Sequence, residues 1–170
     1  NWHRSNLEKF QQDQLKLLVR HAVTHSPFYR SLYENHNIDI SHEISLKNLP
    51  VVNKQLIMDN FDEVVTDRRL KLFDLQNHVK QLKQDQYYLG QYRVLPTSGS
   101  GSTGEQGIFV YDRQAWSFTQ ASVLRWSQYM GSSPQLPRRR VASIGGDGAT
   151  HISYRLARSC DLGLYNCGLD

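Results

Sequence analysis

The sequence predicts an α/β fold with a helical first half. Over residues 1–90, apolar side chains recur with the period of about 3.6 residues that is typical of amphipathic helices. After Gly90 the pattern changes, and segments that alternate apolar and polar side chains are separated by helix-like segments. Helices that alternate with buried strands are typical of α/β proteins. We therefore expect a helical lead-in over 1–90 and the start of an α/β part, with an incomplete sheet, over 91–170.

The lead-in is predicted to contain a series of helices. The first has an apolar stripe made of Leu7, Phe10, Leu15, Leu18, Val19 and Ala22. Ser26 is expected to cap a second helix, in which Pro27 takes the first position. Pro50 ends a short segment, and Asn53 is expected to cap a third helix. A further short helix contains Leu75, Val79 and Leu82. None of these helices carries an obvious chemical constellation.

The second part begins with two predicted strands and a long helix. The strings "QYRVLP" (91–96) and "GIFVYD" (107–112) have the composition and alternation of strands. Asp112 is expected to cap the helix that follows, which ends near Gly131. Its apolar side is made of Trp116, Val123, Trp126 and Met130. Aromatic side chains at this spacing indicate core packing rather than a cofactor site.

The sequence after Gly131 predicts two further strands of the same sheet, with a short helix between them. The string "RRVASIGG" (139–146) indicates a third strand, and a short helix with Ile152 and Leu156 follows. The string "LGLYNCGLD" (162–170) begins another strand, at which the sequence ends. We therefore expect the sheet to be unfinished within these residues.

Charge and hydropathy argue against two classes of protein. The net charge is +4, and the basic residues are scattered apart from "PRRR" at 137–140. A nucleic-acid-binding protein would carry a denser basic stripe interleaved with aromatic side chains, so no nucleic-acid partner is expected. No apolar run reaches the roughly 18 residues that a transmembrane helix needs, so no membrane span is expected.

The cysteines and the N-terminus bear on the compartment. Cys160, Cys167 and the nearby His151 match no common zinc spacing, so we expect no metal site and two thiols in a reducing cytoplasm. The N-terminus has neither a starting methionine nor the apolar core of a secretory signal. We therefore expect a cytoplasmic protein, and a chain that is a fragment, a processed product or a trimmed form.

Residues 97–107, "TSGSGSTGEQG", are rich in glycine and in hydroxyl side chains. Such a run suits a flexible tether, a plain hairpin loop, or a cradle in which backbone N–H groups and hydroxyls hold a phosphate. Strand-like segments flank the run on both sides, which disfavours the tether. The hairpin loop and the cradle both remain open.

Two common phosphate loops are disfavoured by the residues that follow the glycines. Gly99, Gly101 and Gly104 are spaced as G-x-G-x-x-G, but a dinucleotide fold needs a helix directly after them, and a strand is predicted here. Gly99 and Gly104 also match half of a Walker loop. Glu105 and Gln106, however, stand where that loop needs lysine and a hydroxyl residue. A strand–loop–strand clamp is the remaining phosphate-binding arrangement.

This clamp and its surroundings resemble a known family. The string "TSGSGSTGEQGIFVYD" is similar to the nucleotide-binding loop of adenylate-forming (AMP-binding) enzymes, in the phenylacetate–CoA ligase-like branch that includes capsular polysaccharide biosynthesis proteins. The strings "LLVRHAVTHSPFYRSLYENHNI" and "LKNLPVVNKQLIMDNFDEVVTD" resemble the helical segments before that loop. The strings "FVYDRQAW" and "LPRRRVASI" follow in the family's order. The resemblance covers nearly the whole chain.

The resemblance implies an ATP-dependent ligase. Members of this family join a carboxylate to ATP, which gives an acyl-adenylate and pyrophosphate, and usually pass the acyl group to coenzyme A. The implied partners are ATP, Mg²⁺, coenzyme A and a small-molecule carboxylate. The implied architecture is the first part of the large adenylate-forming domain, with a nucleotide-binding part over 91–170. The family's adenine, ribose and magnesium motifs and its catalytic lysine would follow Asp170. No catalytic residue is therefore expected in this chain, and the chain alone is expected to be inactive.

The resemblance also implies individual site residues. The phosphate-binding motif maps onto Ser100, Gly101, Ser102, Thr103 and Gly104. Ser102 and Thr103 would donate their hydroxyls to the β- and γ-phosphates, and the glycines would allow the backbone to approach closely. Gly107 would close the turn into the next strand.

A second landmark of the family lines its carboxylate pocket from the start of a helix. His151, in "GGDGATHISYR", is our candidate for this position. Gly145 and Gly146 would let the backbone pass close to a ligand. A histidine at a helix start is also commonly a surface or capping residue, and glycines also form plain turns. Both alternatives remain open.

Two departures from the family pattern keep a rival hypothesis open. The family's run is usually Thr-Ser-Gly-Ser-Thr-Gly, and an extra Ser-Gly pair lengthens it here. The following Glu105-Gln106-Gly107 also lacks the usual proline and lysine. The alternative is a non-catalytic, truncated remnant, or a binding or structural protein of polysaccharide biosynthesis.

Overall fold

The fold is that of a computed structural model, which describes residues 3–42, 44–84, 86–96, 106–129 and 148–159. The chain divides into two compact units, Asn1–Leu72 and Phe73–Asp170. In the described ranges the protein is rich in helix and has one small sheet of two antiparallel strands. The predicted α/β class is therefore confirmed at this coarse level, and the specific adenylate-forming domain stays a prediction.

The first unit consists of helices. They are α1 (Arg4–His25), α2 (Pro27–Asn35), a 3₁₀ turn at Leu46–Asn48, α3 (Lys54–Asp59) and α4 (Phe61–Val64). The predicted caps are confirmed, because Ser26 Oγ accepts from Tyr29 N–H at 3.4 Å and Asn53 Oδ1 accepts from Leu56 N–H at 2.8 Å. Each cap satisfies a backbone donor that the first turn of a helix leaves without a partner.

The predicted apolar stripe of α1 is buried only in part. Val19 is buried and forms a core cluster with Tyr33 and Ile44, against which Leu15 and Val23 also pack. The other large members of the stripe lie on the solvent side, namely Leu7, Phe10 and Leu18. The reason is geometric, since at 3.6 residues per turn these positions point away from the face that carries Val19. The predicted apolar stripe is therefore wider than the face of α1 that is buried.

A buried junction connects the end of α1 to α4. Ser26, which is 1% exposed, donates its hydroxyl to Glu63 O at 2.9 Å. Arg68 spans the same junction, because its guanidinium donates to Asp62 O at 2.8 Å and to His25 O at 2.7 Å. These bonds fix where α1 ends and the chain turns into α2.

The second unit holds the sheet. Its helices and strands are α5 (Leu72–Gln81), β1 (Arg93–Pro96), β2 (Ile108–Tyr111), α6 (Arg113–Tyr129) and α7 (Ile152–Ser159). The strands pair in antiparallel register, with Arg93 opposite Tyr111 and Pro96 opposite Ile108. The two strands predicted on either side of the Gly/Ser/Thr run are thus confirmed. The strands predicted at 139–146 and 162–170 lie outside the described residues.

Helix α6 confirms one sequence prediction and corrects another. It is capped as predicted, because Asp112 Oδ1 accepts from Ala115 N–H at 2.7 Å. Trp116 is buried as predicted, but Val123 and Trp126 are exposed, so the predicted core packing is wrong for these two side chains. Met130 lies outside the described residues. The helix has 17 residues, about 25 Å at 1.5 Å per residue, whereas β2 has 4 residues, about 13 Å. The helix therefore extends past the strand on which its first turn packs.

Candidate functional site

The two strands hold the ends of the Gly/Ser/Thr run next to each other. Pro96 and Ile108 are register partners, so residues 97–107 connect neighbouring antiparallel strands of one unit. A tether between separate domains does not have this geometry, and its rejection is confirmed. A strand follows the glycines, so the rejection of the dinucleotide fold is confirmed too. The phosphate clamp and the plain hairpin loop both agree with the pairing.

The predicted phosphate-binding residues are only partly within the described ranges. Gly107 is buried immediately before β2, where a residue that closes the turn into this strand belongs. The other predicted members lie outside the described residues, namely Ser100, Gly101, Ser102, Thr103 and Gly104. Their contacts with a triphosphate stay predictions.

His151 stands directly before α7, as predicted. It is half-buried, its N–H donates to Gly148 O at 2.9 Å, and its carbonyl accepts from Arg155 N–H at 3.1 Å. A Cβ atom added at Gly148 would lie 3.4 Å from His151 Cδ2, so the imidazole lies against this glycine. The position at a helix start is confirmed, and the role in a carboxylate pocket stays a prediction. Gly145 and Gly146 lie outside the described residues.

Arg155 joins α7 to β1. Its side chain is fully buried, and its guanidinium donates to Val94 O at 2.7 Å and to Gln86 O at 2.9 Å. Burial of a charged group is costly unless hydrogen bonds replace its hydration, and these two carbonyls do so in part. His151 precedes Arg155 by four residues, or about one helical turn, so both lie on the same side of α7. Arg155, with its two hydrogen bonds, is called the Arg155 anchor below. It places the start of α7 beside β1, the strand that leads into the Gly/Ser/Thr run.

His78 on α5 lies next to this anchor. Its Nε2 is buried without a hydrogen-bond partner, and its ring meets the Tyr88 ring edge-on at 5.3 Å between centroids. Burial, and then the positive charge of Arg155, lower the pKa of His78, and a hydrogen bond with the Gln86 backbone opposes them. The neutral imidazole is therefore favoured here.

A stack of cations and aromatic rings fastens the other end of the strand pair. The Arg93 guanidinium lies 4.7 Å from the Tyr87 ring centroid and 4.6 Å from that of Trp116. Arg113 lies 4.7 Å from the Tyr87 ring centroid and also donates to Gly90 O at 3.1 Å. Cation–π contacts of this kind are strengthened by burial, and Arg93 is buried. The stack holds the end of β1 farthest from the Gly/Ser/Thr run.

Sequence reasoning missed this buried cluster. Arginine is mostly exposed in folded proteins, so nothing in the local pattern around Arg93 or Arg155 indicated burial. One signal was present, since Arg93 lies in a predicted strand close to three tyrosines at 87, 88 and 92. Aromatic side chains near a cation in a strand are a usable sign of a cation–π contact.

In the ranges that the structure describes, no group of three or more histidine, cysteine or acidic side chains is placed to hold a metal ion. No helix in those ranges is both long enough and apolar enough to cross a membrane.

No protein-family model matches the sequence, and no curated protein matches it either.

Proposed function

We propose that this chain is the N-terminal part of an ATP-dependent carboxylate-activating ligase, which forms an acyl-adenylate and then a thioester with coenzyme A. The proposal rests on the family resemblance of the sequence. The observation that carries it further is the pairing of Pro96 with Ile108, because it closes the Gly/Ser/Thr run into a loop between two strands. A run of this composition has backbone N–H groups and hydroxyls at short spacing in the sequence, and both kinds of donor suit phosphate.

The proposed role of the loop is to bind the leaving group. In acyl-adenylate formation, a carboxylate oxygen attacks the α-phosphorus of ATP, the bond from that phosphorus to the bridging oxygen breaks, and pyrophosphate leaves. Ser102 and Thr103 would donate hydrogen bonds to the β- and γ-phosphates and stabilise the charge that develops on them. Mg²⁺ would neutralise part of the same charge. The chain's own contribution is thus positioning and charge stabilisation.

The proposed role of His151 is to line the carboxylate pocket. Two observations support this role. His151 is half-buried directly before α7, and the hydrogen bond from Arg155 to Val94 O holds α7 against β1. Loss of the His151 side chain is therefore expected to affect the KM for the acid more than the KM for ATP.

ATP–pyrophosphate exchange by the full-length protein, across a panel of aryl and fatty acids, tests the proposal. Replacement of both hydroxyls, in Ser102→Ala with Thr103→Ala, is expected to lower exchange by about 10²-fold or more, the loss typical of removing one preorganised donor. The matched control is Ser117→Ala with Thr119→Ala, because these hydroxyls donate to carbonyls of their own helix α6. The control is expected to leave exchange unchanged.

Three outcomes would count against the proposal. Exchange that is absent with every acid would favour the non-catalytic remnant, and so would a stop codon directly after Asp170. Exchange that survives the double substitution at Ser102 and Thr103 would mean that these hydroxyls do not bind the triphosphate. Deletion of the extra Ser-Gly pair asks a separate question, namely whether the lengthened loop still holds ATP in a productive position.

A further inference from the structure

His21 and His25 form a pair on adjacent turns of α1. Their ring centroids lie 4.5 Å apart with an angle of 45° between the ring planes. Both side chains are exposed, and the two positions are separated by four residues, which places them on one face of the helix. The other histidines do not share this arrangement, since His36 bonds Leu32 O and His42 bonds Asp39.

The spacing suits a shared metal ion. Two histidines at i and i+4 on one helix face are the ligand pair of several zinc sites. If both imidazoles bind one ion at about 2.0–2.1 Å and at a right angle, their centroids lie about 4.5 Å apart. This separation equals the observed distance between His21 and His25. The two rings are therefore close enough together for one ion to bind both.

The backbone that carries the pair is held in place. Arg68 donates to His25 O at 2.7 Å, and Arg30 donates to Val23 O at 3.0 Å and to Thr24 O at 2.9 Å. These bonds satisfy the last carbonyls of α1, which would otherwise fray. The last turn of the helix thus holds His25 at a fixed distance from His21.

The ligands select the kind of metal. Both ligands are imidazoles, and neither is a carboxylate. Imidazole nitrogen suits Cu²⁺, Ni²⁺ and Zn²⁺, whereas Ca²⁺ and Mg²⁺ require oxygen ligands. Among the divalent ions, Cu²⁺ is expected to bind most tightly.

We propose that His21 and His25 form a two-histidine binding site for a divalent transition-metal ion, at the C-terminal turn of α1. Water fills the remaining coordination positions. A bound ion cross-links two turns of the helix and stabilises the first unit, because a ligand that binds only the folded state adds to its stability.

Copper titration of the metal-free chain tests the site in a His3→Ala background, because a histidine at the third position after a free amino group would compete for Cu²⁺. Electron paramagnetic resonance of the first equivalent of Cu²⁺ is expected to show two nitrogen ligands in this parent chain. His21→Ala is expected to weaken binding at least about tenfold, since loss of even an outer partner of a metal ligand costs 10–100-fold. Cu²⁺, and more weakly Ni²⁺ and Zn²⁺, are expected to raise the thermal midpoint, and Ca²⁺ is not.

His36→Ala is the matched control, since it removes an exposed histidine directly after α2 and leaves the pair intact. It is expected to bind Cu²⁺ as the parent chain does. Circular dichroism without metal checks that His21→Ala and His25→Ala retain their helices, which alanine favours. Binding that is equally tight in His21→Ala, His25→Ala and the parent chain would overturn the proposal. A parent chain that shows only one nitrogen ligand at the first equivalent would overturn it as well.

Discussion

Both units of the molecule have buried apolar side chains, but among the described residues the buried arginines lie in the second unit. In the first unit, α1 and α2 pack through an apolar cluster of Val19, Tyr33 and Ile44, and the hydroxyl of Ser26 bonds the backbone at their junction. In the second unit, the guanidinium of Arg155 fastens α7 to β1, and Arg93 lies between aromatic rings. In the apolar cluster, many side chains each make a small contribution. At Arg155 and Arg93, the contact depends on a single charged side chain.

This difference has a physical consequence for tolerance to substitution. An apolar cluster loses part of its contact area when one residue changes, and neighbouring side chains adjust in part. A buried guanidinium cannot be replaced in this way, because its removal leaves buried carbonyls without donors. We therefore expect loss of the Arg155 guanidinium to be more damaging than loss of the Ser26 hydroxyl.

Substitution of the buried arginine is expected to have the largest effect. Arg155→Met leaves the carbonyls of Val94 and Gln86 without their donors and is expected to destabilise the protein by about 3 kcal/mol or more. Urea unfolding measures the change. The control is Arg125→Met, because this arginine is exposed on α6 and its loss is expected to change stability by less than about 0.5 kcal/mol. Equal losses in the two variants would contradict the assigned anchor.

Substitution at the junction of the first unit is expected to have a smaller effect. Ser26→Ala removes a helix cap and a buried hydroxyl that donates to Glu63 O. The expected loss is about 1–2 kcal/mol, from the cap and the carbonyl left without its donor. Ser31→Ala is the control, because Ser31 is exposed on the next turn of α2. A loss at Ser26 that exceeds the loss at Arg155 would reverse the comparison between the two units.

The smallest expected effect is a dependence of stability on pH. The pKa of His78 is lowered in the folded state, so the folded protein binds fewer protons here than the unfolded chain does. Its contribution is therefore fully present above the unfolded pKa of about 6.5, and it is lost as the pH falls from there through the folded pKa. Thermal unfolding between pH 8 and pH 5 measures this trend.

The variant His78→Phe tests whether the His78 imidazole causes the pH dependence of stability. His78→Phe keeps an aromatic ring against Tyr88 and removes the titrating group. It is expected to flatten the stability profile in this pH range. A profile that His78→Phe does not alter would show that other groups set the slope.

The first unit was largely predictable from sequence because its features are local. Ser26 and Asn53 are cap residues at recognisable positions, and both caps form as predicted. The period of α1 located the helix but overestimated its buried face, because periodicity does not specify how much of a helix a neighbour covers. Leu18 is 65% exposed for this reason.

The second unit was less predictable because its contacts link residues far apart in sequence. Arg155 bonds Val94 and Gln86 across more than sixty positions, and no local pattern encodes such a pairing. The strands around residues 97–107 were correctly located from alternation and composition. The roles of Ser102, Thr103 and His151 came from the family resemblance, and they stay predictions that require a bound nucleotide to test.

Nuclear magnetic resonance tests the phosphate clamp most directly, since it reports on each amide of the loop. Tripolyphosphate and ATP would be added in parallel to the isotopically labelled chain, followed by Mg²⁺. The proposed clamp predicts that both ligands shift the amide signals of residues 100–104 and Gly107, while those of α1 and α2 stay unchanged. Loop signals that stay unchanged with both ligands at millimolar concentration would contradict the clamp and leave residues 97–107 as a plain hairpin loop.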